Sequence, residues 1–529
     1  MSMNDELKKI IDNFNVVSFD IFNTLLVRSF IDNNDKFDYI AVLKNIPDFK
    51  NLRIKAENKA RCLKQIKSDK VIEDVALTEI YNYLSEEYLD LITLEKQLDL
   101  MSLRKNNELY EIYNYALSQN KKIIIVSDSY YDTKFLKYLL NKNGYNGFER
   151  IFSSSDIGKM KSTGNLFKYV IDSLSIEPGN IVHIGDNKKA DFEKALENGL
   201  RAFHYSSAKD KLKKFNPAIL TFYNKYRAYF SPIIGLQLLK GENITNYWER
   251  LGYNIGGVLC YFFLLSVIQT VKKNKISDVF FIARDCYIFS KISESFFDEN
   301  CPRFHYIYVN RNINKLYNNT VLESNEFSRY IKSINLKGER ILVVDTCAKT
   351  FSAQTLIEKY LKDMHIEGLY LSVKQNNSIN YSTLTSYDWE NFNLFNWNFI
   401  EFLLSSSERP IVDIKDLKPV YQSDIDKNEE LRLKLYKHLY VGNMKFMTDF
   451  HEMFSEASLC VPMDIIFEFI GVFWDNLTET DKVNLSKIRH PVDSHQNTYV
   501  SILNPKKDFA KLLRARIKDN RSLLCNIKH

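Results

Sequence analysis

Three apolar segments in the N-terminal part of the chain each lead into a polar residue. Val16–Phe19 precedes Asp20, residues 123–126 precede Ser127, and residues 181–185 precede Asp186. Such β-branched runs are typical of strands buried on both faces of a parallel sheet. The carboxyl ends of parallel strands meet at one edge, where open α/β sheets bind ligands. The pattern therefore predicts a doubly wound α/β domain with a polar site at that edge.

Three further residues complete an ordered set of motifs. Thr24 follows Asp20 by four positions, Lys161 stands in a Lys-Met-Lys-Ser segment, and Asp191 follows Asp186 by five positions. The set resembles the motifs of the haloacid dehalogenase (HAD) superfamily, whose members are mostly Mg²⁺-dependent phosphohydrolases. The resemblance covers about residues 1–205. It implies a HAD-like domain with a Rossmann-like, doubly wound parallel sheet and an α-helical cap, for which the helical sequence at about 29–118 is the candidate.

The resemblance implies a chemical role for each strand-end residue. Asp20 would be the nucleophile and form an aspartyl-phosphate. The hydroxyls of Thr24 and Ser127 would donate hydrogen bonds to the phosphoryl oxygens. Lys161 would neutralise negative charge on the nucleophile and on the transferred group. These four residues are the catalytic residues that we expect.

The resemblance also implies that the cofactor is Mg²⁺. Its ligands would be the carboxylates of Asp20 and Asp186 and the backbone carbonyl of Phe22, with Asp191 positioning the metal shell. An isolated aspartate after a strand is most often a turn or N-cap residue, and a lone lysine is most often solvated. The co-occurrence of the motifs, in order and at strand ends, favours the site.

Phe22 is a departure from the usual phosphatase pattern. Phosphatases of this superfamily commonly carry a second aspartate two residues after the nucleophile, where it protonates the leaving alcohol. Phe22 cannot donate a proton, and neither can the neighbouring Asn23 act as an acid. Three interpretations stay open for this domain: a phosphohydrolase, a dehalogenase-like or other HAD reaction, and a catalytically silent scaffold.

A second α/β pattern occupies about residues 236–413, after a lysine- and tyrosine-rich connector at 206–235. We predict strands at 279–282, 306–309, 341–344 and 368–373, a polar loop at 346–352 and a helix at 353–362. Residues 414–529 read as a mainly helical C-terminal region. The whole chain is thus expected to combine two α/β domains with a helical tail.

The loop after the third of these strands resembles the phosphoribosyl-pyrophosphate loop of type I phosphoribosyltransferases. An acid ends the strand, and a hydroxyl-rich turn and a helix N-terminus follow, which favours a phosphate. Only one acid is present, and the usual glycines are absent. The substrate-binding residues that the resemblance implies are Arg284, Asp285, Arg311, Asp345, Lys349, Thr350 and Ser352. Arg284 and Asp285 as a local ion pair, and Asp345 as an N-cap, are the structural alternatives.

The order of the two domains resembles bacterial surface-polysaccharide biosynthesis proteins, including two-domain ribofuranosyl-transfer enzymes. This implies that the second domain transfers ribose 5-phosphate from phosphoribosyl pyrophosphate to a glycan or lipid-linked glycan. The HAD domain would then remove the 5-phosphate. A HAD-family phosphohydrolase with an accessory binding domain, or a non-catalytic scaffold, are the alternatives.

The composition limits partners and compartment. The net charge is +6 without a basic block, so no nucleic-acid partner is expected. The seven cysteines form no C-x-x-C pair and the start lacks a signal-peptide pattern, which together indicate the reducing cytoplasm. The uncharged stretch 251–271 is diluted by glycines and polar residues and is expected to be a buried helix. Peripheral association with the inner face of the membrane stays open.

Overall fold

The structure, a computed structural model, describes residues 3–68, 71–206, 212, 217–296, 302–318, 325–348, 350–373, 379–386, 397–491 and 499–503. The chain divides into two compact units. Unit 1 comprises Met1–Lys240 and Phe450–Leu459, and unit 2 comprises Gly241–Asp449 and Cys460–His529. These limits differ from those of the predicted domains, and the C-terminal region is divided between the units.

Unit 1 alternates helices and strands around one sheet. Its elements are α1 Met3–Asp12, β1 Val16–Phe19, β2 Leu26–Arg28, α2 Asp35–Leu43, α3 Phe49–Ile66, α4 Leu77–Tyr81, α5 Leu91–Ser102, β3 Leu103–Lys105, α6 Asn107–Ser118, β4 Lys122–Ser127, α7 Thr133–Lys142, β5 Arg150–Ser153, α8 Ser154–Ile157, α9 Asn165–Leu174, β6 Ile181–Gly185, α10 Lys194–Glu197, β7 Arg201–His204, α11 Pro217–Lys225 and α12 Arg227–Lys240.

The sheet of unit 1 is parallel and five-stranded, in the order β5-β4-β1-β6-β7. β1 is central, and Phe19 pairs with Ile125 on one side and with Ile184 on the other. All four residues of β1 are buried, as expected for a strand covered on both faces. The prediction of a parallel α/β sheet is confirmed for this unit.

The helices inserted after β1 form a separate layer. β2 and β3 pair in antiparallel fashion, and α2 to α5 lie between them in the chain. The predicted insert extended to residue 118, but its last helix, α6, packs against α1 and β4. The apolar face of α6, which includes Leu109 and Ile112, is fully buried there. The cap therefore ends near β3, and α6 belongs to the sheet layer.

The described part of the segment predicted to be a connector is largely helical. α11 begins at Pro217 and α12 at Arg227, and α12 packs on the cap helix α2. The buried Ser231 hydroxyl donates to Asp35 at 2.6 Å and accepts from the backbone N–H of Ile31 at 2.8 Å. This polar contact adds to the packing of α12 on α2, and the compact unit extends to Lys240.

Unit 2 contains a second alternation of helices and strands. Its elements are α13 Tyr247–Leu251, α14 Gly257–Asn274, β8 Asp278–Ile282, α15 Tyr287–Ile292, β9 Arg303–Ile307, α16 Arg311–Tyr317, α17 Glu326–Lys332, β10 Arg340–Ala348, α18 Ser352–Tyr360, β11 His365–Val373, β12 Tyr381–Thr383, α19 Trp397–Leu404, β13 Ile411–Lys415, β14 Lys418–Tyr421, α20 Lys427–Phe454, α21 Met463–Asp475, α22 Glu479–Leu485, β15 Arg489–Pro491 and β16 Tyr499–Ser501. α20 continues into unit 1 at its end.

The sheet of unit 2 is also parallel and five-stranded, in the order β12-β11-β10-β8-β9. The predicted loop at 346–352 is wrong in its first part, because β10 runs on to Ala348. Cys347 pairs with Ser372 and Ala348 with Val373, so the neighbouring strand supplies hydrogen bonds that the sequence pattern does not reveal. Asp345 therefore lies inside a strand and is not an N-cap.

The uncharged stretch of unit 2 is helical, as predicted. Tyr247–Asn274 is long and apolar enough to cross a membrane by length and composition, with a mean hydropathy of 1.8 over the most apolar window. However, 83% of that window is buried within the protein. This burial is what a core helix of an α/β unit requires.

Candidate active site

The strand order of unit 1 creates a crevice where the chain reverses direction across the sheet. From β1 the chain proceeds outward to β4 and β5, and then returns to the other side of β1 through β6. Ligands of open α/β sheets bind at the carboxyl ends of the strands at such a switch point. Asp20 directly follows β1, and Asp186 directly follows β6. The two aspartates therefore stand on the two sides of this crevice.

Lys161 connects the carboxylates of the crevice. Its ammonium lies 2.6 Å from an oxygen of Asp20 and 2.5 Å from an oxygen of Asp191. The loop that carries the lysine is held by Asp128, which accepts from the backbone N–H groups of Lys161 at 2.7 Å and Ser162 at 3.3 Å. Asp128 thus acts as a turn residue that fixes the position of the lysine.

Three carboxylates meet in this crevice and form a site suited to a divalent cation. Asp20, Asp186 and Asp191 each place one oxygen within 4.8 Å of the other two. One ammonium, that of Lys161, offsets three carboxylates, which leaves an excess of negative charge in a largely buried place. Oxygen-only donor sets of this kind fit Mg²⁺. The charge and the donor chemistry therefore suit the predicted cofactor.

The backbone after Asp20 leaves a carbonyl available for such a cation. The turn after Asp20 is closed by two hydrogen bonds, from Leu26 N–H to the Ile21 carbonyl and from Asn23 N–H to the Leu26 carbonyl, each 2.7 Å long. Neither bond uses the carbonyl of Phe22. Asn23, with φ at 57°, adopts the left-handed conformation that asparagine tolerates better than most residues. Its side chain also donates to Asp186 at 3.4 Å.

Asp191 is oriented by buried neighbours. It accepts from the backbone N–H of Asn187 at 2.9 Å and lies 3.3 Å from Nε2 of His183. The other ring nitrogen of His183 is 2.7 Å from the hydroxyl of Ser18, on the adjacent strand. This buried chain positions Asp191 for Lys161 and for a metal.

Burial and mutual repulsion perturb the carboxylates in opposite directions. Burial, together with the charges of Asp20 and Asp191, raises the pKa of Asp186 to about 8. Burial also raises the pKa of Asp20, although Lys161 opposes this effect. For Asp191, burial alone would raise the pKa, but Lys161 and His183 together outweigh it and lower the pKa. A cation beside Asp186 would relieve this repulsion and keep that carboxylate ionised.

Two hydroxyls near the crevice have no partner among the residues that the structure describes. Thr24 and Ser127 are fully buried, and their oxygens form no hydrogen bond within the described part of the chain. Ser127 ends β4, two residues beyond the Ile125 that pairs with Phe19, so it lies level with the turn after Asp20. A buried hydroxyl without a partner costs free energy, about 1–3 kcal/mol each. A ligand with acceptor oxygens would remove that cost.

Arg28 occupies the space beside Phe22. Its guanidinium carbon lies 4.8 Å from the centre of the Phe22 ring. The side chain donates to Asn33 at 2.9 Å and approaches Asp99 of the cap at 3.6 Å. The position of the usual phosphatase acid is therefore filled by an aromatic ring under a buried cation.

The predicted substrate residues of unit 2 are only partly brought together. The Thr346 hydroxyl donates to Asp285 at 3.0 Å, which links the ends of β8 and β10, and Asp345 accepts from the backbone of Thr346 at 2.8 Å. Burial and the charge of Asp285 raise the pKa of Asp345 to about 8. Arg311 is exposed at the start of α16. Its charge favours the ionised form of Asp345 and so partly offsets the rise in that pKa.

The remaining predicted residues have other surroundings. Arg284 is paired with Glu429 at 2.9 Å rather than with its neighbour Asp285. Thr350 is exposed, and Ser352 begins α18 with its carbonyl accepting from Asn314 at 2.7 Å. Lys349 lies outside the described residues.

Several residues that matter to these sites were missed by the sequence analysis. His183 and Ser18 are single polar residues inside otherwise apolar strands, and that interruption was an available signal. In unit 2, Glu429 pairs with Arg284 and His490 pairs with Glu401. Each pair joins segments that are distant in sequence, so no local sequence pattern indicates the contact.

Solved structures with similarity to part of this chain are hydrolases of the HAD type. A HAD-like hydrolase from Xanthomonas campestris is 14% identical, covers 37% of this chain and 83% of its own, and has a TM-score of 0.29. A predicted phosphoglycolate phosphatase from Haemophilus somnus 129PT is 16% identical over 39% of this chain and 99% of its own, with a TM-score of 0.27. A 2-haloacid dehalogenase from Pseudomonas syringae pv. tomato DC3000 is 15% identical over 36% of this chain and 86% of its own, with a TM-score of 0.26. No protein-family model and no curated protein matches the sequence.

Proposed function

We propose that unit 1 is a Mg²⁺-dependent phosphohydrolase of the HAD type, with Asp20 as nucleophile. The observation that carries this proposal is the pairing of Asp20 with a buried lysine, beside two buried hydroxyls that have no partner among the described residues. A phosphoryl group is the ligand that would use both features. Its oxygens accept from hydroxyls and an ammonium, and its phosphorus takes the carboxylate.

The chemistry divides into two displacements. A carboxylate oxygen of Asp20 attacks phosphorus, the bond to the ester oxygen breaks, and that oxygen leaves with the electron pair. Lys161 and the hydroxyls of Thr24 and Ser127 stabilise the charge on the transferred group. Asp20, Asp186 and the Phe22 carbonyl would hold Mg²⁺, which would supply further positive charge to stabilise the transferred group. Water then hydrolyses the aspartyl-phosphate and regenerates Asp20.

The test is release of phosphate from ribose 5-phosphate in the presence of Mg²⁺. We expect Asp20→Asn to abolish release and Asp172→Asn, an exposed change on α9, to leave it unaltered. Mg²⁺ should raise the melting temperature of the wild type but not of Asp186→Asn, because binding to the folded state stabilises it. Release by Asp20→Asn at the wild-type rate would contradict the proposal.

For the whole protein, we propose a place in the biosynthesis of bacterial surface polysaccharides. Unit 2 would transfer ribose 5-phosphate from phosphoribosyl pyrophosphate to a glycan or lipid-linked glycan, and unit 1 would remove the 5-phosphate, at the cytoplasmic face of the membrane. Support comes from the strand order of unit 2, which has its own switch point between β8 and β10. Asp285 and Asp345 stand there, with Arg284 and Arg311 nearby to bind diphosphate.

Diphosphate release from phosphoribosyl pyrophosphate, with a membrane glycolipid extract as the acceptor, tests this second activity. We expect release by the wild type and almost none by Asp345→Ala. Equal release by the two proteins would leave a phosphohydrolase with an accessory domain. Loss of both activities in the wild type would indicate a non-catalytic scaffold.

A further inference from the structure

An acid–base pair stands beside the crevice of unit 2. Nε2 of His490, in β15, lies 2.7 Å from a carboxylate oxygen of Glu401, in α19. The helix α19 reads Trp-Asn-Phe-Ile-Glu-Phe-Leu-Leu, so Glu401 is its one charged residue. Its other side chains are mostly buried and apolar. Glu401 and Asn398, three residues apart, form the partly exposed polar side of this helix, and Glu401 is its titratable group.

Glu401 lies close enough to Asp285 and Asp345 for its charge to act on both carboxyls. Burial first, and then the charge of Glu401, raises the pKa of Asp285 to about 6. Glu401 also raises the pKa of Asp345, in addition to burial and Asp285. Burial alone would raise the pKa of Glu401, but His490, Arg311 and Arg284 outweigh it and lower that pKa. The pair therefore shares one electrostatic environment with the strand-end residues.

The histidine is held at one nitrogen only. Nε2 faces Glu401, and Nδ1 forms no hydrogen bond within the described residues. The side chains of His490 and Glu401 are 21% and 29% exposed, so a ligand in the crevice has access to them. A histidine oriented by a carboxylate, with its second nitrogen available, is the arrangement of a general base.

We propose that His490, positioned by Glu401, is the general base that activates a sugar hydroxyl of the acceptor in unit 2. This inference rests on the proposed glycosyl transfer. The acceptor O–H gives its proton to Nδ1 of His490 while its oxygen forms a bond to the anomeric carbon of the donor. The bond from that carbon to diphosphate breaks, and the electron pair leaves with diphosphate. The carboxylates around the crevice stabilise the imidazolium and the positive charge that develops on the sugar ring.

The first arm of the experiment uses full-length protein, phosphoribosyl pyrophosphate, Mg²⁺ and the glycolipid extract. His490→Ala should slow diphosphate release about 10²-fold or more, the usual contribution of a general base. The dissociation constant for phosphoribosyl pyrophosphate, measured by calorimetry, should change less than about twofold. Added imidazole should restore part of the rate. His438→Ala, an exposed change in α20, is the matched control and should behave as wild type.

A second arm tests whether Glu401 positions His490 or only stabilises the fold. Glu401→Gln keeps the shape of the side chain but not its charge, and should lower kcat about tenfold or more with little change in KM for either substrate. Imidazole should not rescue it, because His490 is still present. Melting temperatures identify any variant that fails to fold, in which case His490→Asn replaces His490→Ala.

The outcomes distinguish the two proposals. If Asp345→Ala is inactive but His490→Ala and His490→Asn keep the wild-type rate, the base assignment is wrong and the transfer function stands. If the wild type neither binds nor cleaves phosphoribosyl pyrophosphate, or Asp345→Ala matches it, the transfer function fails and the base assignment fails with it.

Discussion

At the scale of single residues, the proposed phosphohydrolase activity of unit 1 should depend on the phosphate ester because of Phe22. No proton donor stands two residues after Asp20, so we expect the leaving oxygen to depart as an anion or to take its proton from water. We expect the wild type to cleave p-nitrophenyl phosphate far faster than ribose 5-phosphate at saturation, because nitrophenolate leaves without protonation. General acid catalysis typically contributes ~10²–10⁴-fold, which sets the scale of the difference.

Phe22→Asp tests this cause directly. The new carboxyl should narrow the gap in kcat between the two esters about tenfold or more, with Phe22→Asn as the control of similar size that has no acid. The positive charge of the neighbouring Arg28 would favour the ionised form of this aspartate. Because the ionised form has no proton to donate, Arg28 limits the increase in kcat. An unchanged ratio in Phe22→Asp, in a protein that still binds Mg²⁺, would show that the proton already comes from elsewhere in the protein.

At the scale of elements, a cluster of buried charges holds the cap together. The Lys36 ammonium lies 2.6 Å from Asp99, and Arg53 contacts Glu95 at 3.0 Å, all four being almost fully buried. Burial would raise the pKa of Glu95 and Asp99, but the neighbouring cations outweigh it and lower both. Such carboxylates contribute stability above their unfolded pKa that is lost as pH falls through the folded pKa. We expect the cap to open below about pH 4.

Hydrogen exchange of peptides from residues 35–102 measures this opening. Glu95→Gln should destabilise the cap at neutral pH by about 3–5 kcal/mol, because buried Arg53 loses a charged partner. The stability of this variant should also depend less on pH in the acid range. Glu197→Gln, in a largely exposed pair, should cost less than about 1 kcal/mol. All four tryptophans lie outside unit 1, so their emission reports on unit 2 independently. Protection of the cap amides, relative to their intrinsic exchange rates at each pH, that stayed constant from pH 7 to pH 3 would contradict the prediction.

A second element-scale contact links the cap to the loop that carries Lys161. The Glu73 carboxylate accepts from the backbone of Met160 at 2.7 Å and from the side chains of Thr163 at 2.8 Å and Asn165 at 2.6 Å. We expect Glu73→Ala to lower kcat for phosphate release about tenfold and to leave the Mg²⁺-induced rise in melting temperature intact, because the loop loses its anchor while the metal ligands stay. Glu149→Ala, at an exposed pair, is the control. Equal kcat in the two variants would show that Asp128 alone fixes the loop.

At the scale of the whole molecule, strand-end chemistry could be predicted and tertiary partners could not. Asp20 and Asp186 directly follow mainly apolar strands, and Ser127 ends another, so topology alone brings them to one edge. The continuation of β10 through Thr346 depends on its pairing with β11, which no local pattern encodes. Contacts such as that between Glu401 and His490 join segments far apart in sequence, and single-residue propensities carry no information about them.

The two proposed activities predict that the chain performs an ordered pair of reactions, which single substitutions should separate. With labelled phosphoribosyl pyrophosphate and the glycolipid extract, the wild type should yield a ribosylated glycan without phosphate. Asp20→Asn should yield the same glycan bearing a 5-phosphate, because transfer proceeds and hydrolysis does not. Asp345→Ala should incorporate no label yet still cleave ribose 5-phosphate.

A mixture of the two variants should restore the product without phosphate if the phosphorylated glycan is released between the steps. Label without phosphate from Asp20→Asn alone would mean that unit 1 does not act on this product, and mass spectrometry of the glycan decides between these results.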